Sequence, residues 1–401
     1  MLQEKLKELL REIEPQMVAW RRHLHQYPEL SFQEEKTPAM IADILRQLEF
    51  DEVRTGVGGR GVVGVLRGGQ PGATVALRAD FDALPIQDEK EVEYKSKVPG
   101  VMHACGHDAH TSGLLGLATV LSRHRGEIPG TIVFLFQHAE EENPGGAIQM
   151  VEDGALQGVD AIFGAHLWSM CPVGTVWVNA GPVMANCDDF IIEIQGKGGH
   201  GAIPQETVDA IVIGSQIVGA LQTIVSRNIS PLESVVVTVG TFHAGDNYNV
   251  IADRCRLTGT VRSFLPHVRD KAEQRLIEIA KGTAALMGGS AEVTYMRGYP
   301  AVINSEAETE IARQAAAAAV GWDNVERMEP MMGAEDFAYY LQHVPGSFLF
   351  VGAGNPQKGA EYPHHHPRFD IDESAMLIAA EVLGRAALDF LDKHEKRSRS
   401  A

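Results

Sequence analysis

Apolar positions at the start of the chain recur at helical spacing. Leu2, Leu6, Leu9, Leu10, Ile13 and Met17 share one stripe, which predicts an amphipathic helix over 2–26. It stops at Tyr27-Pro28, because the residue before a proline is pushed out of helical geometry. A second helical pattern covers Thr37–Leu48, its entry flanked by Glu34 and Glu35, whose charge suits the positive end of a helix. Then the period changes. Gly61–Arg67, Thr74–Ala79, Thr131–Phe136 and Asp160–Ala165 are short apolar runs that read as strands, with helical patterns at His110–Arg123 and Asn143–Asp153 between them. Strands alternating with helices predict an α/β fold with a mixed, largely parallel sheet flanked by helices. In such sheets ligands gather beyond the carboxyl ends of the strands.

A different order follows. Asp189–Gln195, Val208–Val225, Val235–Thr241, Arg254–Phe264, His267–Met287 and Ala291–Tyr295 read β-α-β-β-α-β, the split arrangement of ferredoxin-like α+β units. This predicts an inserted domain over 183–297 inside a discontinuous one made of 1–182 and 298–401. Helices at Ser305–Val320, Asp336–His343 and Asp372–Leu391 and a strand at Ser347–Val351 would complete the latter. The polar end Lys393–Ala401 is expected to fray.

Composition narrows the partners. The 401 residues carry 53 acidic against 35 basic side chains, a formal charge of −18, which argues against nucleic acid or an anionic membrane surface. Cys105, Cys171, Cys187 and Cys255 are too scattered for a disulfide framework and fit a reducing, cytoplasmic setting. No run of 18 apolar residues suggests a membrane span, and the charged N-terminus is not patterned as a signal peptide.

The candidate chemistry concentrates in Met102–His110, MHACGHDAH, which sets a thiol and three imidazoles beside a carboxylate. These are the side chains that bind d-block divalent ions. Cys105 and His107, two apart, suit a loop or strand end better than one helix face. A buried cysteine with helix-capping histidines fits the same nine residues. Company elsewhere tips the balance: Asp80 and Asp82 follow one predicted strand, Glu140 and Glu141 in FQHAEE a second, and His166 in GAHLW a third. Three strand ends on one rim weigh more than any one motif. Neighbouring carboxylates there can divide the work, one on metal and one on protons. Of the consecutive His364, His365 and His366, at most two could face one ion. His103, His110 and His138 read as helix-end groups or as supports behind the ligands. His200, in GGHGAIP, reads on its own as an exposed histidine in a glycine-rich turn, and Arg262 as a strand-edge charge.

Nearly the whole chain resembles the dinuclear-metal family of bacterial N-acyl-L-amino acid amidohydrolases (aminoacylases), hippurate hydrolases and related carboxypeptidases. RRHLHQYPELSFQE, RADFDALPIQ, MHACGHDAH, FQHAEE, GAHLW, GKGGHGAIP, GTVRSF, GAEDFAYY and HHHPRFDIDE stand in that family's order. The resemblance implies a zinc-peptidase-like catalytic domain with an inserted lid and dimerisation domain. It implies two divalent ions per subunit (zinc, manganese, cobalt or nickel) on Cys105, His107, Glu141, His166 and His365, the last lying two before Pro367, with Cys105 able to bridge. Glu140 resembles the general base acting on a water shared by the ions; Asp82, and beside it Asp80, resemble the carboxylates that orient ligands from behind. His200 would steady the oxyanion in a neighbouring subunit, and Asn249 and Arg262 would grip a substrate carboxylate, a task suited to arginine's fork.

One departure stands out: Ala252 replaces the proline that usually follows Asn-Val-Ile. Glu335 and Asp336 match a family motif and read here as a helix start. The implied reaction is hydrolysis of the amide bond of N-acyl-L-amino acids by a homodimer or dimer of dimers, with carboxypeptidase action on short or N-blocked peptides as the alternative and a non-catalytic metal-binding dimer as a remote one. A zinc deaminase lacks its His-x-Glu and Pro-Cys-x-x-Cys arrangement here, and a serine hydrolase its Gly-x-Ser-x-Gly elbow.

Overall fold

The stripe on the first 26 residues does what its spacing requires. Helix α1 (Leu2–Gln26) buries Leu2, Leu6, Leu10, Met17 and Leu24, each worth about 1.5–3 kcal/mol when removed from water. The computed structural model describes residues 2–400, with side chains through residue 395. Of the polar end expected to fray, Ala401 and the side chains from 396 on lie outside the described residues.

Helix α2 (Lys36–Gln47) is entered differently from the sequence reading. Glu35 makes no side-chain cap. Glu29 does that work, its carboxylate accepting from the backbone N–H groups of Lys36 and Thr37 at 2.9–3.1 Å. Strands β1 (Glu52–Val57), β2 (Gly61–Arg67) and β3 (Gln70–Asp80) follow, then helix α3 (His107–Arg123), β4 (Pro129–Gln137), helix α4 (Gly146–Glu152) and β5 (Ala161–Pro172). Strand β1 was missed because it is a half-exposed edge with no apolar run. Short strands β6 (Val176–Trp177) and β7 (Gly181–Met184) lead into the second half of the chain.

In that half come β8 (Asp188–Gln195), β9 (Gly199–His200), helix α5 (Ala210–Thr223), β10 (Val235–Ala244), β11 (Val250–Ile251), β12 (Arg254–Ser263), helix α6 (Pro266–Leu286), β13 (Ser290–Arg297) and β14 (Val302–Asn304). Helix α7 (Glu306–Val320), β15 (Val325–Glu326), α8 (Ala338–Leu341), β16 (Gly346–Gly354) and α9 (Ala375–Ser400) complete the chain. The helix expected over Asp336–His343 shrinks to the single turn α8, because Asp336 is held elsewhere, as described below.

Two compact units result: residues 1–181, 303–329 and 336–401 form one, residues 182–302 and 330–335 the other. The segment Pro330–Glu335, expected in the first, is drawn into the second by backbone bonds from Met331 N–H to Val183 and from Ala185 N–H to Met331 and Gly333. The first unit is α/β. Its eight-stranded sheet runs β1-β2-β4-β3-β5-β16-β6-β15. Neighbours β4, β3, β5 and β16 are mutually parallel, whereas β1, β2 and β6 pair antiparallel with their neighbours in that sheet's interior. Helices α3 and α9 pack on β3, α2 on β1 and β2, and α7 on β16. Helices α1 and α3 approach so closely at Gly116 that a Cβ there would stand 2.5 Å from Met17 Sδ, so any larger residue would force the Met17 side chain to move.

The second unit carries the four-stranded antiparallel sheet β10-β12-β8-β13, with α5 and α6 packed on it around Phe190, Ile192, Ile217, Leu221 and Leu257. Residues Ala210–Asn228 have the length and apolar content of a membrane-crossing helix, with a mean hydropathy of 1.3, which the sequence reading did not anticipate. Its inward stripe, Ala210, Ile213, Ile217 and Leu221, is buried in that core.

A buried charge cluster locks α1 to the start of α3. Arg21, fully buried, donates to Asp108 at 2.9 Å, Asp370 at 2.7 Å and Glu373 at 3.2 Å. Arg21→Leu leaves two buried carboxylates without their main cation, and urea unfolding of this variant is expected to show a loss of roughly 3–5 kcal/mol.

Candidate metal centre

Strands β4, β3 and β5 lie side by side and parallel, so their carboxyl ends open on one rim. Asp80 closes β3, Asp82 follows it, and Glu140 and Glu141 follow β4. His166 lies inside β5, which runs on to Pro172, rather than after it. Helix α3 begins at His107 itself, so Cys105 and the left-handed Gly106 form the turn that delivers the thiol to the same rim.

Asp82 organises the candidate ligands. His107 Nδ1 lies 3.0 Å from both its carbonyl oxygen and its Oδ1, and Oδ2 accepts from Ser31 Oγ at 2.7 Å and from the Glu141 N–H at 3.0 Å. Oxygen acceptors fix the Nδ1–H tautomer, which leaves His107 Nε2 aimed inward, 3.7–4.0 Å from Asp80, Glu140 and Glu141. That buried nitrogen makes no hydrogen bond. Burial opposes a charge on His107, but the carboxylates of Asp80, Asp82 and Glu141 outweigh it and hold its pKa up to about 10. Burial, with Glu141, Glu140 and Asp80 adding to it, pushes the Cys105 thiol well above its usual range.

Strand β5 sorts the remaining rings through its peptide groups. His166 Nδ1 donates to the Leu167 carbonyl at 2.9 Å, so its bare Nε2 faces Cys105 Sγ at 3.5 Å. His110 Nε2 accepts from the Leu167 N–H at 2.9 Å, and its Nδ1–H donates to Asp80 Oδ1 at 2.7 Å. His110 is thereby a support, as its helix position suggested. Asp80 is anchored in turn by Arg78 at 2.6 Å. His138 meets Gln149 at 3.2 Å, and His103 is wholly buried, its pKa pressed to about 4 by desolvation.

Among the triplets of possible ligands whose donor atoms lie within 4.8 Å of one another, two share the thiol: Cys105, His107 and Glu141, and Cys105, His166 and His364. His365 is in neither. Its half-exposed ring has Nε2 3.3 Å from Glu141 Oε1, and its backbone is left-handed, with φ of 63°. Soft sulfur, imidazole and carboxylate around an unpaired inward nitrogen fit d-block divalent cations.

Sequence reasoning missed two supports. Asp336 accepts from Gln137 Nε2, Arg78 Nη2 and the Ala147 N–H at 2.7–3.0 Å, so it braces the floor of the rim rather than starting a helix. Glu34, taken as part of the α2 entry, is fully buried and accepts from the Ala139 N–H at 2.9 Å, next to the two glutamates. Burial raises its carboxyl to about 8.

The residues expected to touch substrate lie in the second unit. His200 pairs with Val250 between β9 and β11, and the Gly201 N–H donates to the Asn249 carbonyl at 2.8 Å. Ala252, where the resembled family has proline, is buried and accepts from the Ala210 N–H at 3.2 Å. Arg262 is near the far end of β12, its Nε 3.2 Å from Thr260 Oγ1. Glu335 also belongs to this unit.

Such a rim is that of the metal-dependent amide hydrolases of α/β fold. The chain belongs to peptidase family M20/M25/M40, whose model matches residues 76–389, and it is a hydrolase. It is 42% identical to thermostable carboxypeptidase 1 of Saccharolobus solfataricus, over 98% of this chain and all of that one. It is 49% identical to an N-acyl-L-amino acid amidohydrolase of Geobacillus stearothermophilus, over 76% of this chain and 82% of the relative. The fold superposes with a TM-score of 0.84 on a Bacillus subtilis dinuclear metal-binding peptidase of family M20, 36% identical, covering 95% and 99% of the two chains.

Both His107 and Cys105 hold protons at neutral pH, since their pKa values are raised, and a cation must displace those protons. Metal affinity is therefore expected to fall as pH drops from about 8 to about 6, roughly tenfold per pH unit for each proton displaced. Calorimetric titration with a divalent ion in buffers of different ionisation enthalpy should report net proton release; zero release would contradict it.

Proposed function

We propose that the protein hydrolyses the amide bond of N-acyl-L-amino acids, releasing a carboxylate and a free amino acid. The observation that carries this reading is the convergence of Cys105, His107, Glu141 and His166 at the rim with the buried Glu140 beside them, its Oε2 4.0 Å from His107 Nε2. Cys105, His107 and Glu141 would hold one divalent ion, with His365 against Glu141 Oε1 at 3.3 Å, and Cys105 with His166 the second. Bound there, such ions polarise an acyl carbonyl and lower the pKa of water.

The chain's own residues do the rest. Glu140 takes the proton of the attacking water and passes it to the leaving nitrogen, without which an amide anion would have to depart. Asp82 keeps His107 and the Glu141 backbone in place through the bonds described. His200 Nδ1 accepts from the Ala202 N–H at 3.0 Å. The ring hydrogen is therefore on Nε2, the donor that an oxyanion needs.

Arg262, with Asn249, would hold the substrate carboxylate. His200 sits near the Arg254 end of β12, because Gln195 at the close of β8 pairs with Arg254. Eight residues of strand put Arg262 roughly 26 Å further along, at about 3.3 Å per residue. A small substrate cannot reach both within one unit, which supports a second copy of the chain as the source of His200 and of Asn249 beside it.

Glu140→Ala is expected to keep its metal content by elemental analysis while losing nearly all hydrolysis of N-acetyl and N-benzoyl amino acids; retained turnover would remove it from the base role. Glu140→Ala and His200→Ala chains, each inactive alone, should recover activity in verified mixed dimers if the site is shared between copies. The full-length likeness to a carboxypeptidase makes N-blocked dipeptides the second substrate class. Higher kcat/KM on these than on N-acyl amino acids would overturn the assignment of substrate.

A further inference from the structure

One ring at the rim has no task in the chemistry above. His364 is stacked on Trp168, centroids 4.3 Å apart at 27°, and tilted against Phe369 at 4.8 Å. Its Nε2 is 3.2 Å from the backbone nitrogen of Ser169. A peptide nitrogen only donates, so Nε2 is the acceptor and the hydrogen of the neutral ring is on Nδ1. Nδ1 faces Cys105 Sγ at 3.6 Å, within reach of an N–H···S bond. The contrast with His166 is complete: its Nδ1 donates to a carbonyl, and bare Nε2 meets the same sulfur. A nitrogen that carries a hydrogen has no lone pair to give a cation. His364 thus stands among the donors without being one, despite its place in a ligand triplet.

We propose that His364 is a positioning residue that donates its Nδ1–H to the sulfur of Cys105, so that the thiolate offered to the metal ions carries a hydrogen bond set by the peptide of Ser169. This rests on the reading of Cys105 as a ligand. Such a bond draws electron density from sulfur and orients its remaining lone pairs, the role that outer partners of metal ligands take generally. The sequence hides it, since three consecutive histidines look interchangeable and only the backbone partner of each ring tells donor from ligand.

The test uses the full-length protein loaded with cobalt(II), whose thiolate-to-metal charge-transfer band reports on sulfur directly. His364→Leu keeps apolar bulk against Trp168 and removes the donor; His364→Asn places an amide nitrogen near the position of Nδ1 and restores it. Both variants are expected to bind two cobalt ions per chain. The band should move to longer wavelength in His364→Leu and return towards the parent position in His364→Asn. Loss of one cobalt in His364→Leu would make His364 a ligand and overturn the proposal. So would an unmoved band, or equal shifts in both variants, which would trace the effect to packing. If the parent protein takes up no cobalt, or its band survives Cys105→Ser, the metal reading itself fails and takes this proposal with it.

Discussion

Everything at the rim depends on one buried carboxylate, Asp82. Its oxygens hold the His107 ring, the Glu141 backbone and Ser31 at once, and burial is tolerable because each bond goes to a donor that stabilises the anion. The result is a fixed separation between an imidazole from α3 and a carboxylate from the β4 loop, two segments with no covalent reason to meet. Around it the same logic repeats one layer out: Asp80 between Arg78 and His110, and Asp336 beneath Gln137 and Arg78. Acidic groups thus concentrate where three parallel strands end, and their summed field favours whatever brings positive charge to His107 Nε2 and Cys105.

In this concentration His107 Nε2 lacks a hydrogen-bond partner while the outward nitrogen of the same ring is bonded. A buried polar atom without a hydrogen bond costs on the order of 1–3 kcal/mol, and His107 Nε2 stands in that state. The fold supports it through the apolar layers of α1, α3 and α9 around the sheet, far from the rim. Stability is made in one part of the unit and spent on an arrangement suited to a cation.

Much of this was legible in the residues. The period-3.6 stripe of α1, the apolar runs of β2, β3, β4 and β5, and the β-α-β-β-α-β order of the second unit follow from patterning alone, because burial selects it. The rim was legible too, since chemistry-bearing residues sit just after apolar runs. Hidden were the features that patterning does not encode. Strand β1 has no apolar face to announce it, Glu29 caps a helix seven residues away, and Glu34 and Asp336 look like surface acids until the backbone N–H groups they accept from are known.

The histidines mark the boundary most sharply. His107, His110, His166 and His364 are the same side chain within a few ångströms of the same carboxylates and sulfur, yet they divide into two kinds by which peptide group each ring meets. Carbonyl oxygens of Asp82 and Leu167 take Nδ1–H from His107 and His166 and turn Nε2 inward. The N–H groups of Leu167 and Ser169 occupy Nε2 of His110 and His364 and leave a hydrogen pointing inward. Leu167 does both, one ring on each side of its residue. Backbone direction along β5, together with the Asp82 carbonyl beyond β3, therefore decides which rings turn Nε2 inward and which turn Nδ1–H inward. No spacing rule on the sequence can express that decision, because the deciding atoms belong to every residue type alike.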